Sequence, residues 1–204
     1  MMLQAAEPAI ILASASTARR AVLEAAGLRF EPRAAAIDEA GVKASARAEG
    51  MSAVETAILL AEMKAERVAR HAPAALVIGC DQLLVCDGEW FDKPVDVAEA
   101  RAQLRRLRGR THELVTAVVC LRDGERIWHH VARPRLTMRG FSEAFLEAYL
   151  DVEARHVMST VGAYRLEAVG AQLFDAVEGE QAAILGMPLL PLLGFFRQHG
   201  VLKA

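Results

Sequence analysis

The chain has 204 residues, enough for one good core, and its 53% apolar and 25% charged content excludes a disordered segment. A formal net charge of −2 gives no global attraction to nucleic acid or acidic membrane, and aromatics at 5% are too few for a base-stacking surface. The three cysteines, Cys80, Cys86 and Cys120, sit in apolar runs without a CxxC, which reads as buried reduced thiols rather than a metal or disulfide framework.

Residues 9–13 read as a strand and 17–26 as a helix ended by Gly27. Between them lies Ser14-Ala15-Ser16-Thr17, followed by Arg19-Arg20. This order gathers hydroxyls, unpaired N–H groups and a guanidinium at a helix N-terminus, which suits a phosphate. It is more commonly the pattern of an ordinary turn with Ser16 or Thr17 as a cap and two solvated arginines. Leu28 to Arg33 reads as a second strand, and residues 34–50 as mostly loop, with Asp38 and Glu39 as loop acids. Ser52 to Glu55 is a capping box, and the helix it opens runs to about Arg70. Lys64 falls at the edge of that helix's apolar stripe, where a lysine either snorkels outward or reaches a polar cavity.

Leu76 to Gly79 reads as a short strand running into Asp81. That carboxylate lies between apolar runs, as a paired functional charge or a strand-end turn residue, with Gln82 beside it as a hydrogen-bonding group. Asp87-Gly88 and Asp123-Gly124 mark two hairpins: the first joins Leu83–Cys86 to Glu89–Phe91, the second Glu113–Leu121 to Arg126–Met138. Lys93-Pro94 closes the first hairpin, and a helix from Asp96 to Gly109 follows. Ser142 starts another helix. Gly162–Tyr164 and Ala171–Val177 read as short strands, and Glu178 to Glu180 as a turn. After Pro188 a nearly all-apolar helix runs to about His199, as core or as interface. Helices and strands alternate and then hairpins appear, so the expected class is α/β with a mixed twisted sheet flanked by helices, in one domain over residues 1–204. No apolar run reaches membrane-spanning length and no signal segment opens the chain, so the cytoplasm is the expected location. The chain has no GxxxxGK[ST], HExxH or Ser-His-Asp order.

In sum, a phosphate-type turn, two lysines in unusual places and two separated acids suit a polyphosphate, with an acid to activate water or hold a divalent ion. Beyond this, Leu12-Ala13-Ser14-Ala15-Ser16, Arg19-Arg20, Asp38-Glu39, Lys64-Ala65, Gly79-Cys80-Asp81-Gln82, Lys93-Pro94, Arg108-Gly109-Arg110-Thr111-His112, Gly162-Ala163-Tyr164 and Gly186-Met187-Pro188-Leu189 resemble, in order, the signature of the Maf nucleotide pyrophosphatases. The resemblance implies an elongated two-lobed Maf/ITPase-like fold with a central cleft, and a homodimer without nucleic-acid or membrane partners. It implies cleavage of nucleoside triphosphates between the α and β phosphates, with Mg²⁺ or Mn²⁺ as cofactor, and a link to septum formation, including a catalytically weak regulator of division as the alternative. By position it implies Asp81 as general base, Ser14, Arg19, Lys64 and Lys93 on phosphates, and Glu39 with Asp81 on the metal or water. The sequence departs from the family pattern at Thr17-Ala18 and at Ser159-Thr160-Val161. Gln82 and Glu167 resemble the branch acting on 7-methyl-GTP, where a carboxylate accepts from the N1–H and amino group of guanine. Gly162-Ala163-Tyr164 resembles the pyrimidine branch instead.

Overall fold

The computed structural model describes residues 3–154 and 156–203, and in it the chain is mixed α/β. In chain order the elements are β1 (Ile10–Leu12), α1 (Thr17–Ala25), β2 (Glu31–Pro32), α2 (Glu39–Ala48), α3 (Ala53–Ala69), β3 (Leu76–Cys86), β4 (Glu89–Phe91) and α4 (Val97–Leu107). Then follow β5 (Thr111–Arg122), β6 (Glu125–Ala132), β7 (Arg135–Met138), α5 (Glu143–Glu153), β8 (Phe174–Glu178), α6 (Gln181–Ile184) and α7 (Leu189–Gln198). The described residues form two compact units.

The first unit comprises the chain up to Gln82, Thr116–Ala132 and everything from Gln181 on. Here β1 pairs in parallel with both β2 and β3, and β5 carries β6 antiparallel. One face of this sheet packs on α1 and α7 through Leu12, Leu23, Ile78, Cys80, Cys120, Leu192, Phe195 and Phe196. The apolar helix α7 thus supplies core on one side, while Leu190 is exposed. The other face packs on α3, whose start is the expected capping box of Ser52 and Glu55. Contact is closest at Gly79: a Cβ there would overlap the Ala61 carbonyl and lie 2.9 Å from Ala65 Cβ. A residue without a side chain is what lets the helix backbone sit on the strand.

The second unit comprises Leu83–Val115 and Arg133–Glu180. It holds the β3–β4 hairpin, α4, α5 and the antiparallel ladder of β5, β7 and β8. Both Asp-Gly turns form as the sequence predicts, with positive φ at Asp87, Gly88, Asp123 and Gly124. In this unit His112 is buried against Tyr164, with Nε2 and the phenol oxygen 2.7 Å apart and Nδ1 without a partner. Burial pushes the imidazole down to about 4.

Six local expectations are corrected. Residues 34–50 contain α2, capped by the Asp38 carboxylate, which accepts from Gly41 N at 3.0 Å. The second strand shrinks to Glu31–Pro32, since only Ile11 and Leu12 offer it partners. β3 does not stop at Gly79 but continues to Cys86, because Asp81 is neutralised by a side chain from α3. The long strand 126–138 is interrupted at Arg133-Pro134, where proline has no N–H to donate. Gly162–Tyr164 is a tight turn with positive φ at Gly162 and Ala163, which extended pairing forbids. The neighbouring run 171–177 begins instead as the 3₁₀ turn Val169–Leu173, crowded against Arg165 at Gly170, before β8 forms.

Candidate active site

The site lies at the C-terminal end of β1, where its parallel pairing with β3 stops at Leu12 and Ile78, the usual position of a ligand in an open α/β sheet. β1 delivers Ser14, which is buried at the start of the turn into α1. Ser16 caps the helix by accepting from Arg19 N at 3.3 Å, so the ordinary cap reading holds as well. Ser14 Oγ accepts from Ser16 N at 3.2 Å and from Arg19 Nη1 at 3.3 Å, which leaves its own proton to donate elsewhere. Arg19 is fixed on two further sides. Its Nη1 donates to the Cys80 carbonyl at 3.0 Å and its Nε to the Gly186 carbonyl at 3.0 Å. None of the described hydrogen bonds uses Nη2, so a preset guanidinium edge and a hydroxyl are both on offer to an anion. Arg20 turns away and pairs with Glu24 on the exposed side of α1.

Asp81 follows the carbonyl that holds Arg19. On β3, Gly79 and Asp81 share the face toward α3, by the period of two. The close approach at Gly79 brings Lys64 to the carboxylate: Nζ lies 2.6 Å from Asp81 Oδ1 and 2.8 Å from Glu39 Oε1. Lys64 and Asp81 are 6% and 3% exposed, so Lys64 does not snorkel into solvent but sits as a buried cation between two acids. Glu39 reaches it from the first turn of α2, a helix where the sequence predicts a loop. Asp81 Oδ2 is buried and accepts no hydrogen bond from the protein. A buried carboxylate oxygen without a donor is costly unless a water or a cation uses it.

Gln82, on the opposite face of β3, directs its amide nitrogen into the protein: Nε2 lies 2.8 Å from Thr116 Oγ1, 3.1 Å from the Ala183 carbonyl and 3.0 Å from the Ile184 carbonyl. Thr116 and the carbonyls of Ala183, Ile184 and Gly186 are parts of this arrangement that carry no sequence motif for it. Only Gly186, in the run Gly186-Met187-Pro188-Leu189, hinted at a special turn. Lys93 and Glu167 are exposed residues of the second unit and do not take part in the cluster just described.

The donor set of Asp81 Oδ2 and Glu39 fits Mg²⁺ or Mn²⁺, which prefer hard oxygens and take one or two carboxylates together with substrate phosphates. Among the described residues no three His, Cys, Asp or Glu side chains cluster, so a protein-only cage is absent there. All three cysteines are free and buried, as the sequence predicts, with Cys80 and Cys120 thiols raised by burial. No described helix is long and apolar enough to cross a membrane.

The chain matches the Maf-like protein family model over residues 9–199. It is 59% identical, over 95% of this chain and 98% of the relative, to a protein of Granulibacter bethesdensis named nucleoside triphosphate pyrophosphatase. A Rhodospirillum rubrum protein of the same name is 53% identical over 96% of each chain. A Rhizobium meliloti protein named 7-methyl-GTP pyrophosphatase is 45% identical over 97% of this chain and all of the relative. With a family match across nearly its whole length and relatives of this closeness, the chain belongs to the Maf-like protein family.

Proposed function

We propose that this protein is a nucleoside triphosphate pyrophosphatase that hydrolyses the bond between the α and β phosphates, giving a nucleoside monophosphate and pyrophosphate. The observation that carries this reading is Lys64 held between Asp81 and Glu39, with Asp81 Oδ2 left without a protein donor beside the Arg19 anchor. Asp81 takes a proton from the attacking water, whose oxygen forms the new bond to the α phosphorus. The bond to the α–β bridging oxygen breaks, and the electron pair leaves with pyrophosphate. Ser14 Oγ–H and Arg19 Nη2 bind phosphate oxygens, and their fixed geometry stabilises charge as it moves to the leaving group. Asp81 and Glu39 would hold a divalent cation, which when bound neutralises phosphate charge. Lys93 and Glu167 enter by position in the family pattern, as a phosphate-binding and a base-reading residue.

Among substrates we put 7-methyl-GTP first. Gln82 and Glu167 support it, as do the relatives of that name from Rhizobium meliloti and Rhizobium etli, each 45% identical. The test is pyrophosphate release with Mg²⁺ or Mn²⁺ from 7-methyl-GTP, GTP, dTTP, UTP, CTP and ITP. The expected result is turnover led by 7-methyl-GTP. Preference for dTTP and UTP keeps the enzyme and removes the base assignment; no release from any substrate removes the activity.

A further inference from the structure

We propose that Gln82 and Thr116 are positioning residues that set the Arg19 guanidinium through the turn formed by residues 181–187. The proposal rests on the reading of Arg19 as a phosphate-binding group. It assigns Gln82 a role beyond contact with substrate.

α6 has four residues, too few to hold a helix by itself. Two strands hold it. From β3, Gln82 Nε2 reaches the Ala183 and Ile184 carbonyls; from β5, the fully buried Thr116 hydroxyl donates to the Ala183 carbonyl at 3.0 Å. Gly186 N closes the turn on the same Ala183 carbonyl at 3.0 Å. The carbonyl of Gly186, the residue whose N–H makes that bond, receives Arg19 Nε. Gly186 has φ +92°, and a Cβ there would come within 2.8 Å of Arg19 Nε. The turn and the guanidinium are thus fitted to each other with no room for a side chain. Met187 seats the far end, its Sδ 3.9 Å from Cys80 Sγ, the residue whose carbonyl holds Arg19 Nη1.

The chemistry of the amide fixes its orientation. Two N–H hydrogens are shared among a hydroxyl and two carbonyls; rotated by half a turn, Oε1 would face both carbonyls and repel them. The nitrogen is therefore committed to the protein, and only Oε1 is left for a ligand. Without the amide, the Ile184 carbonyl loses the donor described for it, and of the two side chains that donate to the turn from the strands only Thr116 remains. The Gly186 carbonyl then wanders, and Arg19 keeps only its contacts to Ser14 and Cys80.

The experiment compares wild type with Gln82→Ala, Gln82→Glu and Thr116→Val by two readouts. The first is solvent exchange of the Arg19 Nε–H in ¹⁵N-resolved NMR, assigned through Arg19→Lys. Exchange is expected to speed up about tenfold in Gln82→Ala and in Thr116→Val, the equivalent of roughly one hydrogen bond. The second is pyrophosphate release. Gln82→Ala is expected to raise KM more than it lowers kcat, and to add nothing further in an Arg19→Ala background. Gln82→Glu, which sets a carboxylate against two carbonyls, is expected to be worse than Gln82→Ala, whereas a residue serving substrate only through Oε1 would tolerate the change. Unaltered Nε–H exchange in both Gln82→Ala and Thr116→Val, or losses that multiply with Arg19→Ala, would overturn the proposal. If wild type releases no pyrophosphate, the functional reading fails, and the exchange measurement still decides the clamp.

Discussion

Lys64 and Asp81 form a charge pair that burial makes expensive to break: a lone buried carboxylate is destabilising by about 3–5 kcal/mol when its partner is removed. Removing the carboxylate's charge is gentler, because Lys64 keeps Glu39. Asp81→Asn is therefore expected to fold and to bind nucleotide, while turnover falls by about 10²- to 10⁴-fold, the contribution of a general base. Near-normal pyrophosphate release from that variant would take the base role away from Asp81. His112 makes a separate, measurable contribution to stability. The unfolded chain takes up the imidazole proton near 6.5, the folded chain only at about 4. Between those values the unfolded state binds more protons, so stability falls as pH is lowered through the window, by about 3 kcal/mol in all. Urea midpoints measured from pH 7 to 4 should show this loss. His112→Gln should flatten it; an unchanged slope in the variant would assign the pH dependence to other groups.

At the scale of elements, a glycine determines where a lysine goes. Gly79 lets α3 rest against β3, and Lys64 lies one turn of α3 beyond Ala61, the residue whose carbonyl a Cβ would meet. Gly79→Ala sets a methyl group against backbone, which cannot rotate away. The helix must shift, at about 1–3 kcal/mol, and carry Lys64 off Asp81. The expected result is a lowered melting temperature together with a loss of turnover larger than the stability change explains. Retained activity at reduced stability would separate the packing from the site. The same elements show what was readable in the sequence. The strong patterns were legible: the capped helix at Ser52, the Asp-Gly hairpins, the apolar α7. α2 was not, because its apolar stripe is reduced to Val42 and Ala46 and a glycine stands at position 41. Its signals were the Asp38 cap and the alanines, which favour helix by propensity rather than by pattern. Without that helix Glu39 reads as a loop acid, whereas the first turn of α2 is what aims it at Lys64. Asp81 and Lys64 were visible as misplaced charges, but a charge inside an apolar run says nothing of its partner 17 residues away in sequence.

Across the molecule the cluster around Lys64 and Arg19 is assembled from distant segments of one unit: Ser14 and Arg19, Glu39, Lys64, Asp81 and Gln82, then Thr116, then the turn at 181–187. The chain leaves this unit after Gln82 and returns twice, and the second return supplies one of the two carbonyls that fix Arg19. Order along the chain could not reveal that return, because the turn's contribution is made by backbone atoms that any residue carries. A net charge of −2 means that anion binding must come from this local arrangement rather than from the field of the whole protein. Ligand binding should therefore be felt first in that unit. A non-hydrolysable nucleoside triphosphate with Mg²⁺, at about 100 times its Kd, should stabilise the folded state by about 2.7 kcal/mol. For a chain of this length that corresponds to a rise of roughly 5–10 °C in melting temperature. Hydrogen exchange under the same conditions should slow in residues 12–20, 60–66, 79–82 and 181–187, because anion contacts tie Ser14, Arg19 and Lys64 to the strands and turn that carry them. Arg19→Ala should abolish both effects at that concentration. Slowed exchange confined to segments outside these would place the nucleotide elsewhere and remove the cluster around Lys64 as its site.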